Sequence, residues 1–207
     1  QYAIAVDCRT GKGLNAYHTA VKQVLAETIK KNEAKGMGGK ALRMMVVGIP
    51  NTGKSSFINR MAGKNRAKVA DKPGVTRSNQ WFAIGNGIEL LDTPGVLWPK
   101  FDDVVVGDRL AFIGSVKDEI MDSETMAVRL IEARVNGYED KLLSRFKLKN
   151  IENIHEAMPW EILEEIGRER GMLIRGGEIN TERAAIMLLD EYRGGKMGKI
   201  SFERPEK

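Results

Sequence analysis

Gly48-Ile49-Pro50-Asn51-Thr52-Gly53-Lys54-Ser55 is the stretch that decides the fold. It fits G-x-x-x-x-G-K-[ST], with the apolar run ALRMMVV (41–47) before it and helical spacing from Ser55 to about Ala62 after it. Strand, glycine-rich turn and helix form the context that a phosphate-binding loop requires. The glycines let the backbone curl so that several N–H groups point inward, and the helix N-terminus adds partial positive charge. Lys54 is then placed to reach the β- and γ-phosphates, and the Ser55 hydroxyl to ligate Mg²⁺. Asn51, Thr52, Gly53 and Ser56 complete the candidate cradle.

Downstream, Asp92-Thr93-Pro94-Gly95 ends a second apolar run 44 residues after Gly48. An Asp at such a strand end can hold Mg²⁺ through water, and a glycine amide can bond the γ-phosphate, so Asp92 and Gly95 join the candidate site. A lone D-x-x-G is common in turns, and it gains meaning only from the phosphate loop before it. Thr93 stands where many P-loop ATPases carry a Glu as general base, which tilts the reading toward GTPases. Between the two motifs lies Pro73-Gly-Val-Thr76, whose Thr76 can close on Mg²⁺ and the γ-phosphate when triphosphate is bound.

The rest of the first hundred residues fits around this frame. Residues 2–6 (YAIAV) read as a short buried strand, followed by a turn over 7–13 and one helix from Leu14 to about Lys35. The run 41–47 is apolar enough to be covered on both faces, as in a parallel sheet. A strand near 81–84, the hairpin signal Asn86-Gly87 and a strand over 88–91 complete the sheet. Beyond Trp98-Pro99 helical periodicity takes over at 117–135, 138–146, 160–170 and 181–193. The domains are therefore read as 1–103, a connection over 104–116, and a helical domain over 117–207. In the helical domain Leu130, Ile131, Ile162, Ile166, Leu188 and Leu189 are the candidate core.

Motif order carries a further message. GTPases ordinarily follow D-x-x-G with an N-K-x-D that reads guanine and then a short turn that supports the base. No such N-K-x-D, nor its Thr-Lys variant, occurs in residues 96–207, whereas AVDCRTGKGL (5–14) is similar to the last guanine motif and the helix after it. The expected tail precedes the head.

With GIPNTGKSS, KPGVT and LLDTPGVLWPKF in place, the chain resembles, over essentially its whole length, the YlqF/RbgA family, the ribosome biogenesis GTPase A group of circularly permuted GTPases. The fold the resemblance implies is α/β: a P-loop GTPase sheet, circularly permuted and lacking its N-terminal part, followed by a smaller all-helical C-terminal domain. In the family an upstream segment holds N-K-x-D, so guanine specificity is implied rather than read. Asp7 and Cys8 fall where the family's base-supporting turn lies and depart from the Ser-Ala usual among GTPases. Catalytic roles are implied for Lys54, Thr76 and Gly95, Mg²⁺ ligation for Ser55, Thr76 and Asp92, and a K⁺ contact for Asn51. The resemblance also implies GTP hydrolysis coupled to a late step of large (50S) subunit assembly, with the ribosomal particle as activator and its rRNA as partner. A nucleotide-gated RNA-binding module in which hydrolysis is incidental remains the alternative.

Composition agrees with a cytoplasmic protein, here taken as a monomer. The 207 residues are 42% hydrophobic and 29% charged, and no run approaches the roughly 18 apolar residues of a membrane span. The single cysteine, Cys8, forms no internal disulfide and has no companions for a structural zinc site. Between 60 and 77, Arg60, Lys64, Arg66, Lys68, Lys72 and Arg77 face Asp71 alone, an excess equal to the chain's net charge of +5. Such a run overlapping a switch loop suits a polyanion, and Lys196, Lys199 and Arg204 are further candidates for rRNA. Gln1 in place of Met suggests that the natural N-terminus lies upstream. A polypeptide starting at Gln1 is expected to leave a gap in the sheet and to bind nucleotide poorly.

Overall fold

The computed structural model describes residues 2–63, 79–97, 102–116, 122–135, 137–149, 151 and 153–202. They fall into two compact units, Gln1–Leu97 and Trp98–Lys207.

In the first unit, helices α1 (Asn15–Val24) and α2 (Ala26–Ala34) precede strand β1 (Leu42–Val46), helix α3 (Lys54–Ala62) and strands β2 (Gln80–Gly85) and β3 (Ile88–Asp92). The sheet is mixed, in the order β1-β3-β2, with β1 parallel to β3 and β2 antiparallel to it. The Asn86-Gly87 signal makes the tight turn between β2 and β3: both residues have positive φ, 52° and 69°, as a type I′ hairpin demands. The parallel pairing of β1 with β3 brings Val46 level with Asp92, so the strand end that starts the phosphate loop lies beside the strand end that carries the carboxylate.

Burial explains why the helices dock. Ile58 of α3 is fully buried with Val21, Phe82, Ile84, Ile88 and Leu90, and Leu42, Met44 and Val46 face the same cluster. Tyr17 of α1 packs edge-on against Phe57, ring centroids 5.3 Å apart, and donates its hydroxyl to Met44 Sδ at 3.7 Å. These contacts fasten α1 to both α3 and β1.

Three expectations are corrected here. Residues 2–6 form no strand, and Tyr2 and Val6 are exposed; an apolar run becomes a strand only with a ladder partner, and the observed sheet is built from β1, β3 and β2. The helix expected over 14–35 is divided at Leu25, where φ −100° and ψ 13° leave helical values while the flanking i to i+4 bonds, Leu25 N–H to Val21 O and Ile29 N–H to Leu25 O, persist. β1 is covered on one face rather than two: Met45 is 61% exposed although Met44 beside it packs in the core.

In the second unit the described elements are helices α4 (Val104–Phe112), α5 (Ser123–Val135), α6 (Glu139–Phe146), α7 (Pro159–Glu169) and α8 (Thr181–Arg193). The stretch 104–116, expected as a connection, holds α4. Its Val-rich start is a poor helix former, but the Asp103 carboxylate caps it by accepting the Val105 N–H at 2.8 Å, and Ala111 and Phe112 enter the core of this unit. That core contains all six residues picked from periodicity, Leu130, Ile131, Ile162, Ile166, Leu188 and Leu189. At its edge Glu191 accepts two hydrogen bonds from Arg145, at 2.8 and 2.7 Å, with Arg170 3.6 Å away. Among the described residues no helix is long and apolar enough to cross a membrane.

Candidate phosphate-binding site

The loop after β1 folds around its own carbonyl at Ile49. Thr52 Oγ1 and Lys54 Nζ both donate to Ile49 O at 2.9 Å, which draws residues 49–54 into a tight curl. Asn51 (φ 63°) and Gly53 (φ 87°) turn the chain through the left-handed region, a turn that a β-branched residue at either place would resist. Gly53 precedes α3 without a side-chain cap, and the positive end of that helix's dipole lies at the loop. Ser55 and Ser56 occupy that first turn. Partial burial pulls the Lys54 ammonium below the ordinary lysine range, and the charge of Asp92 works against that shift.

Strand β3 delivers the second half of the site. Asp92, 2% exposed, accepts a hydrogen bond from Ser55 Oγ at 2.9 Å through its Oδ2. One hydroxyl and one carboxylate oxygen, side by side at the foot of a phosphate loop, fit the hard-oxygen preference of Mg²⁺. Thr93 Oγ1 donates to Val46 O at 2.7 Å. Gly95 then runs against the loop backbone: a Cβ there would stand 2.6 Å from both N and Cα of Pro50. Val96 beyond it is 75% exposed and offers no polar side chain.

The turn over 7–13 is held by Asp7. Its Oδ1 accepts the Arg9 N–H at 2.8 Å and its Oδ2 the Thr10 hydroxyl at 2.8 Å. Those bonds, the Thr10 hydroxyl first, hold the Asp7 carboxyl below the usual carboxylate range. Cys8 is half-buried; burial and the Asp7 charge push its thiol up, and Arg60 opposes them. The turn meets α3 through Arg60, whose Nη2 donates to Thr10 O at 3.3 Å.

The structure thus brings Lys54, Ser55, Asp92 and Gly95 together around one loop, with Asn51, Thr52, Gly53 and Ser56 in the same loop and helix start. Asp7 and Cys8 belong to a separate turn tied to the far end of α3. Thr76, and with it the basic positions 64–77, lies outside the described residues. Two contacts beside the candidate site lie beyond what the sequence motifs signal. In the sequence Thr93 stands out only for not being a Glu, although a hydroxyl one residue past a strand end is a natural clamp. Arg60 belongs by sequence to the basic run, and nothing local signals that a helix-end guanidinium reaches back fifty positions.

A strand, a phosphate loop, a helix and an adjacent strand-end aspartate define a P-loop nucleoside-triphosphate-binding domain. The family described as 50S ribosome-binding GTPase matches residues 43–156. Over 203 residues the chain is 43% identical to the ribosome biogenesis GTPase A of Bacillus licheniformis, covering 98% of this chain and 70% of that protein. The chain belongs to this family of GTPases. It is also similar to the ribosome biogenesis GTPase A of Thermotoga maritima, 37% identical over 166 residues, covering 79% of this chain and 57% of the relative. Among solved structures it is similar to GDP-bound YlqF (TM-score 0.54, 31% identity), covering 81% of this chain and 62% of that one. It is likewise similar to GNP-bound YlqF from T. maritima (TM-score 0.52, 30% identity), covering 79% and 60%. The chain therefore spans about 60% of the length of those structures.

Proposed function

We propose that this chain is the nucleotide-handling and helical part of a GTPase that drives a late step of large (50S) ribosomal subunit assembly and is switched on by the ribosomal particle. The observation that carries the reading is the Ser55 to Asp92 contact at 2.9 Å beneath a loop of the form GIPNTGKS. In this reading the amides of 51–56 hold the α- and β-phosphates, and Lys54 neutralises the β- and γ-phosphates. Ser55 and Asp92, joined by Thr76, would hold Mg²⁺, which when bound spreads the charge that builds on the phosphate oxygens. The Gly95 amide turns to the γ-phosphate, and Asp7 and Cys8 stand on the base side. Asn51, which turns the loop at positive φ, is the residue assigned to K⁺. Circular permutation accounts for the guanine-type turn preceding the phosphate loop. The curated relatives' names and the family description support the ribosomal setting, and with it a cytoplasmic location.

Hydrolysis needs a group that orients water, and signalling GTPases supply a Gln just after D-x-x-G. Here Val96 and Leu97 follow. Intrinsic turnover is therefore slow, and a group supplied by the particle raises it; supplied groups are worth about 10³ to 10⁵ in rate. The basic residues between Lys64 and Arg77 contact rRNA and couple switch closure to binding, while the helical domain, through Lys196, Lys199 and Arg204, adds contacts of its own. Binding to precursor particles in the GTP and GDP states tests this: the GTP form binds more tightly, and equal binding contradicts the switch.

The same exposed Val96 favours one second reading, a nucleotide-gated RNA-binding module in which hydrolysis is incidental. It requires a Lys54→Ala protein to support subunit assembly as well as wild type.

A further inference from the structure

We propose that Thr93 is a positioning residue for GTP hydrolysis: its hydroxyl, bonded to Val46 O, fixes the segment from Asp92 to Gly95 against the phosphate loop. The inference rests on the GTPase reading given above.

The geometry separates three neighbouring residues by what they touch. Asp92 meets the Ser55 hydroxyl, a candidate metal ligand. Gly95 lies so close to Pro50 that any Cβ would clash with loop backbone. Thr93, between them, touches scaffold: it donates to the last carbonyl of β1 at 2.7 Å. Val46 pairs in register with Asp92, so this bond adds a side-chain rung where the β1–β3 ladder ends and the chain bends into the loop. Asp92 and Gly95 both depend on where that bend begins.

Chemistry excludes the other role open to position 93. A Glu here can take a proton from water at neutral pH, whereas a threonine hydroxyl cannot, and this hydroxyl's own proton is directed at Val46 O. Thr93 acts through its neighbours, not on the reacting water. Without the bond, the Val46 carbonyl loses a partner and the bend loosens; a single neutral hydrogen bond of this kind corresponds to about a three- to tenfold effect.

The test uses the full-length protein with Thr93→Val, which keeps shape and removes the hydroxyl, and Thr93→Ser, which keeps the hydroxyl. Single-turnover GTP hydrolysis is measured alongside the Mg²⁺ concentration that half-saturates GDP binding, and GDP affinity in EDTA reports an intact loop. The expected result is that Thr93→Val slows hydrolysis about three- to tenfold and raises the Mg²⁺ requirement, with GDP affinity in EDTA unchanged, and that Thr93→Ser restores both. A Thr93→Val protein indistinguishable from a competent wild type overturns the role of Thr93 alone. Equal losses in Thr93→Val and Thr93→Ser also overturn it, because they mark packing of the methyl group. A wild type that neither binds nor turns over GTP overturns the GTPase reading itself.

Discussion

Ser55 Oγ and Asp92 Oδ2 stand 2.9 Å apart although 37 positions separate them in sequence, because parallel pairing of β1 with β3 carries both to one end of the sheet. The contact predicts a shared function toward Mg²⁺. Asp92→Asn keeps the shape and removes the charge. GDP affinity in excess Mg²⁺ is expected to fall toward its value in EDTA, while affinity in EDTA stays within about threefold of wild type, since one hydrogen bond to Ser55 survives. Titration calorimetry under both conditions checks it.

Gly95 has no room for a side chain. Gly95→Ala puts a methyl group 2.6 Å from Pro50 N and Cα, so the loop or the strand end must shift. The expected cost is about 1 to 3 kcal/mol of stability in thermal or denaturant unfolding, together with a loss of GTP turnover larger than the loss of GDP affinity.

Arg60 binds the chain's own turn. Since its guanidinium donates to Thr10 O, Arg60→Ala is expected to weaken nucleotide binding about two- to tenfold. It leaves the salt dependence of particle binding unchanged. Replacing a lysine of the 64–77 run that meets a phosphate lowers the slope of log K against log salt by about 1 instead. Binding curves at several salt concentrations separate the two.

The helical unit has an acid-sensitive pair. The two hydrogen bonds from Arg145 hold the Glu191 carboxyl below its ordinary range against the cost of burial, with the charges of Arg145, Arg170 and Lys196 adding to the effect. The folded-state pKa is depressed, so this stability is full above the unfolded carboxylate value near 4.5 and is lost as pH falls through the folded value. Glu191→Gln is expected to lower stability at pH 7 by about 1 to 3 kcal/mol and to flatten the acid limb below pH ~4.5 in denaturant unfolding.

What the sequence made legible was the part set by local chemistry. The phosphate loop, the Asn86-Gly87 hairpin and the helical core of the second unit each follow from spacing and turn residues within a dozen positions. What depended on a distant partner, with no motif to announce it, was not legible. Residues 2–6 look like a strand until one asks what they pair with, and β1 looks doubly covered until Met45 is found exposed. α4 was hidden because three valines in succession argue against a helix, and the deciding features were a cap at Asp103 and core burial of Phe112. In the candidate site, the placement of Lys54, Ser55, Asp92 and Gly95 around one loop was legible because their motifs encode the bends they sit on. The Thr93 and Arg60 contacts were not, since each joins a side chain to a backbone carbonyl about fifty residues away.

The most direct test of the central claim is GTP turnover by the full-length protein in Mg²⁺ and K⁺, with and without large-subunit precursor particles, beside Lys54→Ala. Slow turnover alone, a rise of about tenfold or more with particles, and loss of both in Lys54→Ala are the predicted result. A rate that the particles leave unchanged, or one that survives Lys54→Ala, would contradict it.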